Sequence, residues 1–187
     1  MNKESSKDND QVVITLSNYN SNISHFCSPL SLEKHNAHMS MGIIEECEEL
    51  VTAKDATNVK EEIGDLLWFS AQYCEKNEID FTAQIIIAAE ASQNWQPSHS
   101  APWSKLLTLT KKELAYTGFV PEYDARVEAI NTILTFTIFI MLFHELELDD
   151  VLQTNFNKLN TRYKAKAFAA ENAINRDLEA ERIVLEA

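Results

Sequence analysis

Glycine and proline are scarce in this chain, with three and four copies among 187 residues. Folds built from strands and tight turns use more of both, because these residues supply the backbone angles that turns need. Their scarcity therefore favours helices. The length is most simply that of one domain, residues 1–187, and it is sufficient for a buried hydrophobic core.

Cysteine is also scarce, and Cys27, Cys47 and Cys74 form an odd set without CxxC spacing. This argues against a disulfide framework and against a zinc site, and it fits a reducing compartment. Residues 1–10, MNKESSKDND, contain no apolar signal core and are expected to be a polar tail. We therefore expect a cytoplasmic protein.

Basic residues are outnumbered by acidic ones, 16 to 29, which gives a formal charge of −13. Without a basic cluster, nucleic acid is not an expected partner. The longest uncharged run, 129–144, is shorter than the roughly 20 residues of a membrane span, and it contains Asn131 and three threonines. It predicts a buried helix rather than a membrane segment.

Hydrophobic periodicity and capping residues predict an all-α helical bundle. The first helix is expected to begin near Pro29 or Ser31 and to end near Lys54, with Asp55 or Thr57 capping the next. The other predicted helices span 58–76, 80–95, 103–116, 123–146, 149–163 and 168–186, with breaks at Pro97 and Pro102. The stretch QVVITL after the tail is either a short strand or the start of a helix.

The first predicted helix contains the stretch GIIEECEEL, residues 42–50. At about 100° per residue, its apolar side chains share one face. The members of that face are Ile43, Ile44, Cys47, Leu50 and Val51. Glu46 and Glu49 lie three residues apart along the edge of this face, whereas Glu45 and Glu48 are expected in solvent.

The second predicted helix repeats this arrangement in EEIGD, residues 61–65. Glu62 falls inside an apolar arc and Asp65 flanks it, while Glu61 is expected on the wetted side. A buried carboxylate must be paired, protonated or bound to a metal. Gly64, which costs about 1 kcal/mol relative to alanine inside a helix, indicates close approach by another backbone or a ligand.

The short connection between these helices predicts an antiparallel hairpin that brings four carboxylates together. Without a cation they would repel one another and their pKa values would rise. Oxygen ligands of this kind favour Mg²⁺ or Mn²⁺. Acidic runs on helices are more often solvated faces, but two ExxE/D pairs on consecutive helices favour a metal site.

The order EExxE, a short gap and ExxD resembles the all-α nucleoside triphosphate pyrophosphohydrolases, the MazG-like superfamily that includes dimeric dUTPases and dCTP pyrophosphatases. Four segments carry the resemblance: HMSMGIIEECEEL, NVKEEIGDLLWF, NFNKLNTRY and AINRDLEAERIVLE. The first of them resembles the start found in many phage and bacterial members, which would fit a virus-encoded protein of the host cytoplasm.

The resemblance implies that Glu46, Glu49, Glu62 and Asp65 bind Mg²⁺, with Glu49 as the candidate base. The metal would hold the triphosphate and activate a water for attack on the α-phosphorus, which yields a nucleoside monophosphate and pyrophosphate. The acidic positions are intact, so an enzyme is expected. A non-catalytic nucleotide-binding or scaffold member is the alternative.

Candidate substrate-binding residues follow from the same resemblance. Lys158 and Arg162, four apart on one helical face, are either phosphate ligands or an ordinary surface pair. His38 and Trp68 match positions near the nucleotide, and Trp68 either stacks on the base or belongs to the core. Asn155 and Asn175 are weaker candidates.

Residues 78–147 are an insert relative to compact members of the superfamily. The insert could supply extra bundle helices, an oligomer interface or a cap over the base pocket, so base specificity, including dUTPase or dCTPase activity, stays open. A homodimer or homotetramer is expected from the resemblance. A ferritin-like di-iron site needs ExxH pairs, and no histidine of this chain lies three residues after a glutamate. A Nudix box and an His-Asp pair are missing too.

Overall fold

The computed structural model describes residues 12–96, 100–164 and 167–186. These residues form nine α-helices and one 3₁₀ turn at Ser24–Phe26, without a strand, which confirms the all-α prediction. The helices are α1 Tyr19–Ile23, α2 Leu32–Thr52, α3 Ala56–Lys76, α4 Phe81–Ser92, α5 Ser104–Ala115, α6 Tyr123–Phe143, α7 Leu148–Arg162, α8 Ala170–Ile174 and α9 Leu178–Leu185. The predicted polar tail, 1–10, and the predicted break at Pro97 lie outside the described residues.

Helices α2 and α3 form the predicted hairpin and make the most extensive helix contact of the fold. Their connection is short because Asp55 caps α3 at once: its side chain accepts a hydrogen bond from the backbone N–H of Asn58 at 2.9 Å. With a three-residue connection, 53–55, two 21-residue helices can pack along their length only as an antiparallel pair.

Helix α3 is the centre of the fold, since it contacts α1, α2, α4, α6 and α7. Its buried side chains include Ile63, Leu66 and Leu67, each at or near zero exposure. The segment before α1 is neither the strand nor the helix that QVVITL suggested. Its described residues, 12–16, have no helix or strand and pack on α7: the backbone N–H of Ile14 donates to Oε1 of Gln153 at 2.8 Å, and Ile14 itself is buried.

The insert, 78–147, contains α4, α5 and α6. Helix α6 packs mainly on α4, and α5 packs on α2 and α6. By length and composition alone, α6 is the one helix of the described residues that could cross a membrane, but 56 % of its apolar window is buried inside the fold. That burial fits the predicted core helix.

Two details of the prediction are wrong. The single helix expected over 168–186 is divided into α8 and α9, because Asp177 starts a new helix by accepting a hydrogen bond from the N–H of Ala180 at 3.1 Å. Val51, which was placed on the buried face of α2, is 61 % exposed. It lies in the last turn of α2, where no neighbouring helix covers it.

Candidate active site

Three of the predicted acidic residues meet where α2 and α3 face each other. One carboxylate oxygen from each of Glu46, Glu49 and Glu62 lies within 4.8 Å of the others. The spacing along the two helices explains the cluster, because residues three apart on α2 point towards the same strip of α3. The hairpin therefore builds a carboxylate cluster of the kind that holds a divalent cation.

Glu46 is the most buried member of this cluster. Its Oε2 is inaccessible to solvent and has no hydrogen-bond partner among the described residues. Burial, with the added charges of Asp65 and Glu62, raises the pKa of Glu46, and burial likewise raises the pKa of Glu62. A buried oxygen without a partner is costly, and a cation would satisfy it. The residues present therefore fit a metal ion.

Asp65, the fourth predicted ligand, has other partners. Its Oδ1 accepts a hydrogen bond from Nδ2 of Asn155 at 2.7 Å, and its Oδ2 accepts one from Nζ of Lys158. Asp65 lines the same cavity as Glu46 and Glu49 but is not part of the three-residue cluster. It is thus held beside the cluster by two hydrogen bonds that it accepts.

Lys158 was predicted to be either a phosphate ligand or part of an ordinary surface pair. The surface pair is wrong for Lys158, because its side chain has no solvent exposure. Its Nζ donates to Oε1 of Glu61 at 3.0 Å as well as to Asp65. Burial lowers the pKa of Lys158, but the two carboxylates outweigh burial and raise it. Glu61 was placed on the wetted side of α3, and that is wrong: only 16 % of its side chain is exposed.

Asn155 of α7 is the second residue that holds Asp65 in place. It is buried, and its Oδ1 accepts a hydrogen bond from the hydroxyl of Tyr19 at 2.8 Å. The close approach predicted at Gly64 is the approach of Asn155, since a Cβ on Gly64 would lie 3.0 Å from the Cβ of Asn155. The missing side chain of Gly64 therefore lets α7 come close enough for Asn155 to reach Asp65.

A cavity of about 260 Å³ opens beside the cluster. Carboxylates, two aromatic rings and two arginines line it, with α7 and the α8 turn closing one side. The lining residues are Glu45, Glu46, Glu49, Asp65, Trp68, Phe69, Leu159, Arg162, Ala173 and Arg176. A second, more open cavity of about 370 Å³ lies on the other side of Glu49 and Glu62, so the cluster is reached from both.

The aromatic part of the cavity consists of Trp68 and Phe69, whose ring centroids lie 4.7 Å apart. Trp68 is 7 % exposed and belongs to the core, and it also lines the cavity, while its stacking on a base stays a prediction. Its Nε1 is a buried donor without a partner among the described residues. Phe69 lies over Gly42, where a Cβ would fall 2.3 Å from its ring.

The cationic part of the cavity consists of Arg162 and Arg176. Arg162 was a candidate, but Arg176 and its partner Glu181 were missed. Both lie in AINRDLEAERIVLE, so the resemblance could have drawn attention to them. Glu181 accepts two hydrogen bonds from Arg162, at 2.9 and 2.8 Å, and further ones from Arg176.

A comparison with protein-family models gives one match to this chain: residues 34–90 match the MazG nucleotide pyrophosphohydrolase domain. The resemblance to the MazG-like superfamily is thereby confirmed. The match contains the α2–α3 hairpin and all four acidic candidates, and it ends before Lys158, Arg162 and Arg176. No curated protein and no solved structure matched the chain.

Like Lys158 and Asn155, the candidates His38 and Asn175 do not line the cavity beside the carboxylate cluster. His38 is exposed and contacts Phe69 edge-on, with ring centroids 6.1 Å apart, but it does not line the cavity. Asn175 lines a separate cavity of about 140 Å³. Arg162 and Glu181 also line that cavity. Neither residue belongs to the cluster of Glu46, Glu49 and Glu62.

The insert also stays apart from the site. Within the described ranges, no residue of 78–147 lines the cavity beside the carboxylate cluster. A cap over the base pocket was one of three alternatives for the insert, and its described residues do not cover this cavity within one chain. The helices of the insert pack against the hairpin: α5 contacts α2, and α4 and α6 contact α3.

Proposed function

We propose that this protein is a Mg²⁺-dependent nucleoside triphosphate pyrophosphohydrolase that converts a (d)NTP to a (d)NMP and pyrophosphate. The observation that carries this proposal is that a three-carboxylate cluster, on the hairpin that matches the MazG domain, adjoins a cavity with aromatic walls from α3 and cationic walls from the C-terminal segment. Carboxylates suit the metal, arginines suit phosphate and aromatic rings suit a base.

Glu46, Glu49 and Glu62 would hold the cation, with Mn²⁺ as a possible substitute for Mg²⁺. A divalent ion held there would lower the pKa of a bound water and would neutralise charge on the phosphate oxygens. Asp65 contributes a further fixed negative charge at the edge of the cluster. Its bonds to Asn155 and Lys158 hold the carboxylate in one orientation.

The remaining roles follow from exposure and chemistry. Glu49 is the exposed member of the cluster and borders both cavities, so it is the best placed to accept a proton from water. Arg162 presents a guanidinium to the phosphates. Trp68 and Phe69 provide the apolar surface for the nucleoside. Lys158 acts through Asp65 and is not a direct phosphate ligand, because its ammonium group has no exposure.

Base specificity of the dUTPase or dCTPase type is a narrower form of the same proposal. The cavity of about 260 Å³ is below the roughly 300–1,000 Å³ that usually enclose a small ligand. One chain therefore surrounds part of a nucleotide and leaves the base less enclosed. A second copy of the chain could complete the pocket.

We propose a homodimer or homotetramer for that reason and because large apolar side chains remain exposed on the insert. Ile86 of α4 is 55 % exposed, and Phe143 at the end of α6 is 74 % exposed. Light scattering on the purified chain would give the mass of the assembly directly. A cytoplasmic location, in the host if the protein is viral, stays a prediction.

The test is pyrophosphate release from a panel of NTPs and dNTPs, with and without Mg²⁺. Glu49→Gln is the active-site variant, and Glu48→Gln is the matched control, since Glu48 is exposed on the same helix outside both cavities. Metal-dependent release that Glu49→Gln loses by at least about 100-fold and Glu48→Gln keeps would support the proposal. Release from no nucleotide would favour a non-catalytic binding or scaffold protein.

A further inference from the structure

The two arginines that line the cavity come from different parts of the C-terminal segment. Arg162 is the last residue of α7, and Arg176 lies in the turn between α8 and α9. Both lie outside the segment that matches the MazG model. Two like charges that share a cavity wall repel each other unless an anion lies between them.

Glu181 of α9 is that anion. It accepts hydrogen bonds from Nε and Nη2 of Arg162, at 2.9 and 2.8 Å, and from Nη2 of Arg176 at 2.7 Å. Burial alone would raise the pKa of Glu181, but the bonds from the two arginines hold it at about 2. The group of three is therefore fixed, with a net charge of +1.

The exposures show which way this group faces. The side chains of Arg162 and Arg176 are 13 % and 35 % exposed and line the cavity beside the carboxylate cluster, whereas that of Glu181 is 2 % exposed and lines only the separate cavity of about 140 Å³, which Arg162 also borders. An ion pair that served only to fasten α9 to α7 would not need both cations at the cavity wall. Each guanidinium has five N–H donors, and the bonds to Glu181 use two of them on each arginine.

Arg176 is also linked to the acidic side of the site. Its Nη2 lies 3.8 Å from Oε1 of Glu61, which in turn accepts a hydrogen bond from Lys158. Lys158 bonds to Asp65, so alternating charges run from the arginine pair to the carboxylates. The spacing of cations and anions across the cavity is thereby fixed before any ligand arrives, which reduces the ordering cost of binding.

We propose that Arg162 and Arg176 together form a site for the pyrophosphate portion of the triphosphate, and that Glu181 is the positioning residue that holds both. This inference rests on the proposed function and adds two residues to it, Arg176 as a ligand of the phosphate chain and Glu181 as its support. Paired guanidinium groups bind phosphate oxygens through two parallel hydrogen bonds, which a single lysine cannot do.

The test is calorimetric binding of inorganic pyrophosphate at saturating Mg²⁺, which needs no turnover. Arg176→Gln should weaken binding at least tenfold, and Arg176→Lys should weaken it less, because lysine keeps the charge but loses the fork. Arg182→Gln is the matched control. Arg182 lies on α9, pairs with the exposed Glu186 and does not line the cavity, so its loss should change affinity less than twofold.

Glu181→Gln tests whether Glu181 positions the two arginines for the ligand or only fastens α9 to α7, because this variant keeps both arginines. Pyrophosphate affinity should fall at least threefold while the affinity for Mg²⁺ alone is unchanged. Equal pyrophosphate affinity in wild type and Arg176→Gln would overturn the assignment of Arg176. Tighter binding in Glu181→Gln would overturn the role of Glu181, since it would mean that this carboxylate competes with the anion. Hydrolysis of no nucleotide with intact pyrophosphate binding would reject the proposed activity and keep this site.

Discussion

Nδ2 of Asn155 donates a hydrogen bond to Oδ1 of Asp65 at 2.7 Å, across the interface between α7 and α3. The orientation of this amide is set from its other end, because its Oδ1 accepts from the hydroxyl of the fully buried Tyr19. With the oxygen so engaged, only the NH₂ group can face Asp65. Tyr19, which precedes the segment that matches the family model, thus orients the amide that donates a hydrogen bond to Asp65.

Tyr19→Phe should therefore affect both the fold and the site. It leaves the buried Oδ1 of Asn155 without a donor, which costs about 1–3 kcal/mol in the free energy of unfolding. It also frees the amide to turn, so the affinity for Mg²⁺ should fall a few-fold. Urea denaturation and metal titration on the same samples measure the two effects.

Tyr73→Phe is the control for that experiment, since Tyr73 is also buried but is not among the residues of the site. It should lower stability by a similar amount and leave metal affinity as in wild type. If Tyr19→Phe bound metal as tightly as the control, the link from Tyr19 through Asn155 to the site would be wrong.

Lys158→Met should be strongly destabilising at neutral pH. Methionine replaces the stem of the side chain but leaves the largely buried Asp65 without its cation and Glu61 with only Arg176, at 3.8 Å, and removal of one partner from such a group costs about 3–5 kcal/mol. Chemical denaturation measures the change.

Lys60→Met supplies the comparison. Lys60 of α3 is 19 % exposed and pairs with Asp150, whose side chain is 60 % exposed, so the loss of this solvent-facing pair should cost about 0–1 kcal/mol. Similar costs for the two variants would show that Lys158 is not the buried counter-ion that the structure places there.

The ion group around Glu181 should make stability sensitive to acid. A carboxyl whose pKa falls on folding, here from 4.5 to about 2, stabilises the fold above pH 4.5 and loses that contribution as the pH falls towards 2. The difference in unfolding free energy between wild type and Glu181→Gln should therefore be full at pH 7 and smaller at pH 3.

Urea denaturation at both pH values gives that difference. Glu186→Gln is the control, since Glu186 forms an exposed pair with Arg182 that contributes little to stability at either pH. A difference for Glu181→Gln that stayed constant from pH 7 to pH 3 would show that its carboxylate is not stabilised by the arginines.

The hairpin and its acidic edge could be predicted from the sequence because they depend on local information. Helical periodicity places Glu46, Glu49 and Glu62, and the cap at Asp55 fixes how soon α3 starts. The division of α8 from α9 was within reach for the same reason, since Asp177 is a good N-cap residue. The single-domain interpretation of 1–187 stays a prediction.

The partners of Asp65 could not be predicted in this way. Lys158 and Asn155 are 93 and 90 residues away along the chain, and helical spacing tells which face a residue occupies but not which helix covers that face. The same limit explains the error at Glu61. It was predicted to be solvated because helical spacing does not show that Lys158 of α7 packs against it. Gly64 was the one local sign of that close contact.

The central claim is that the carboxylates of the hairpin share a divalent cation, and a calorimetric titration of the nucleotide-free protein with Mg²⁺ tests it most directly. Glu46→Gln is compared with Glu48→Gln, which removes the same charge from the exposed side of α2. We expect saturable binding in wild type and in Glu48→Gln, and a loss of at least tenfold in affinity in Glu46→Gln. Absence of binding in wild type, or equal affinity in the two variants, would contradict the account.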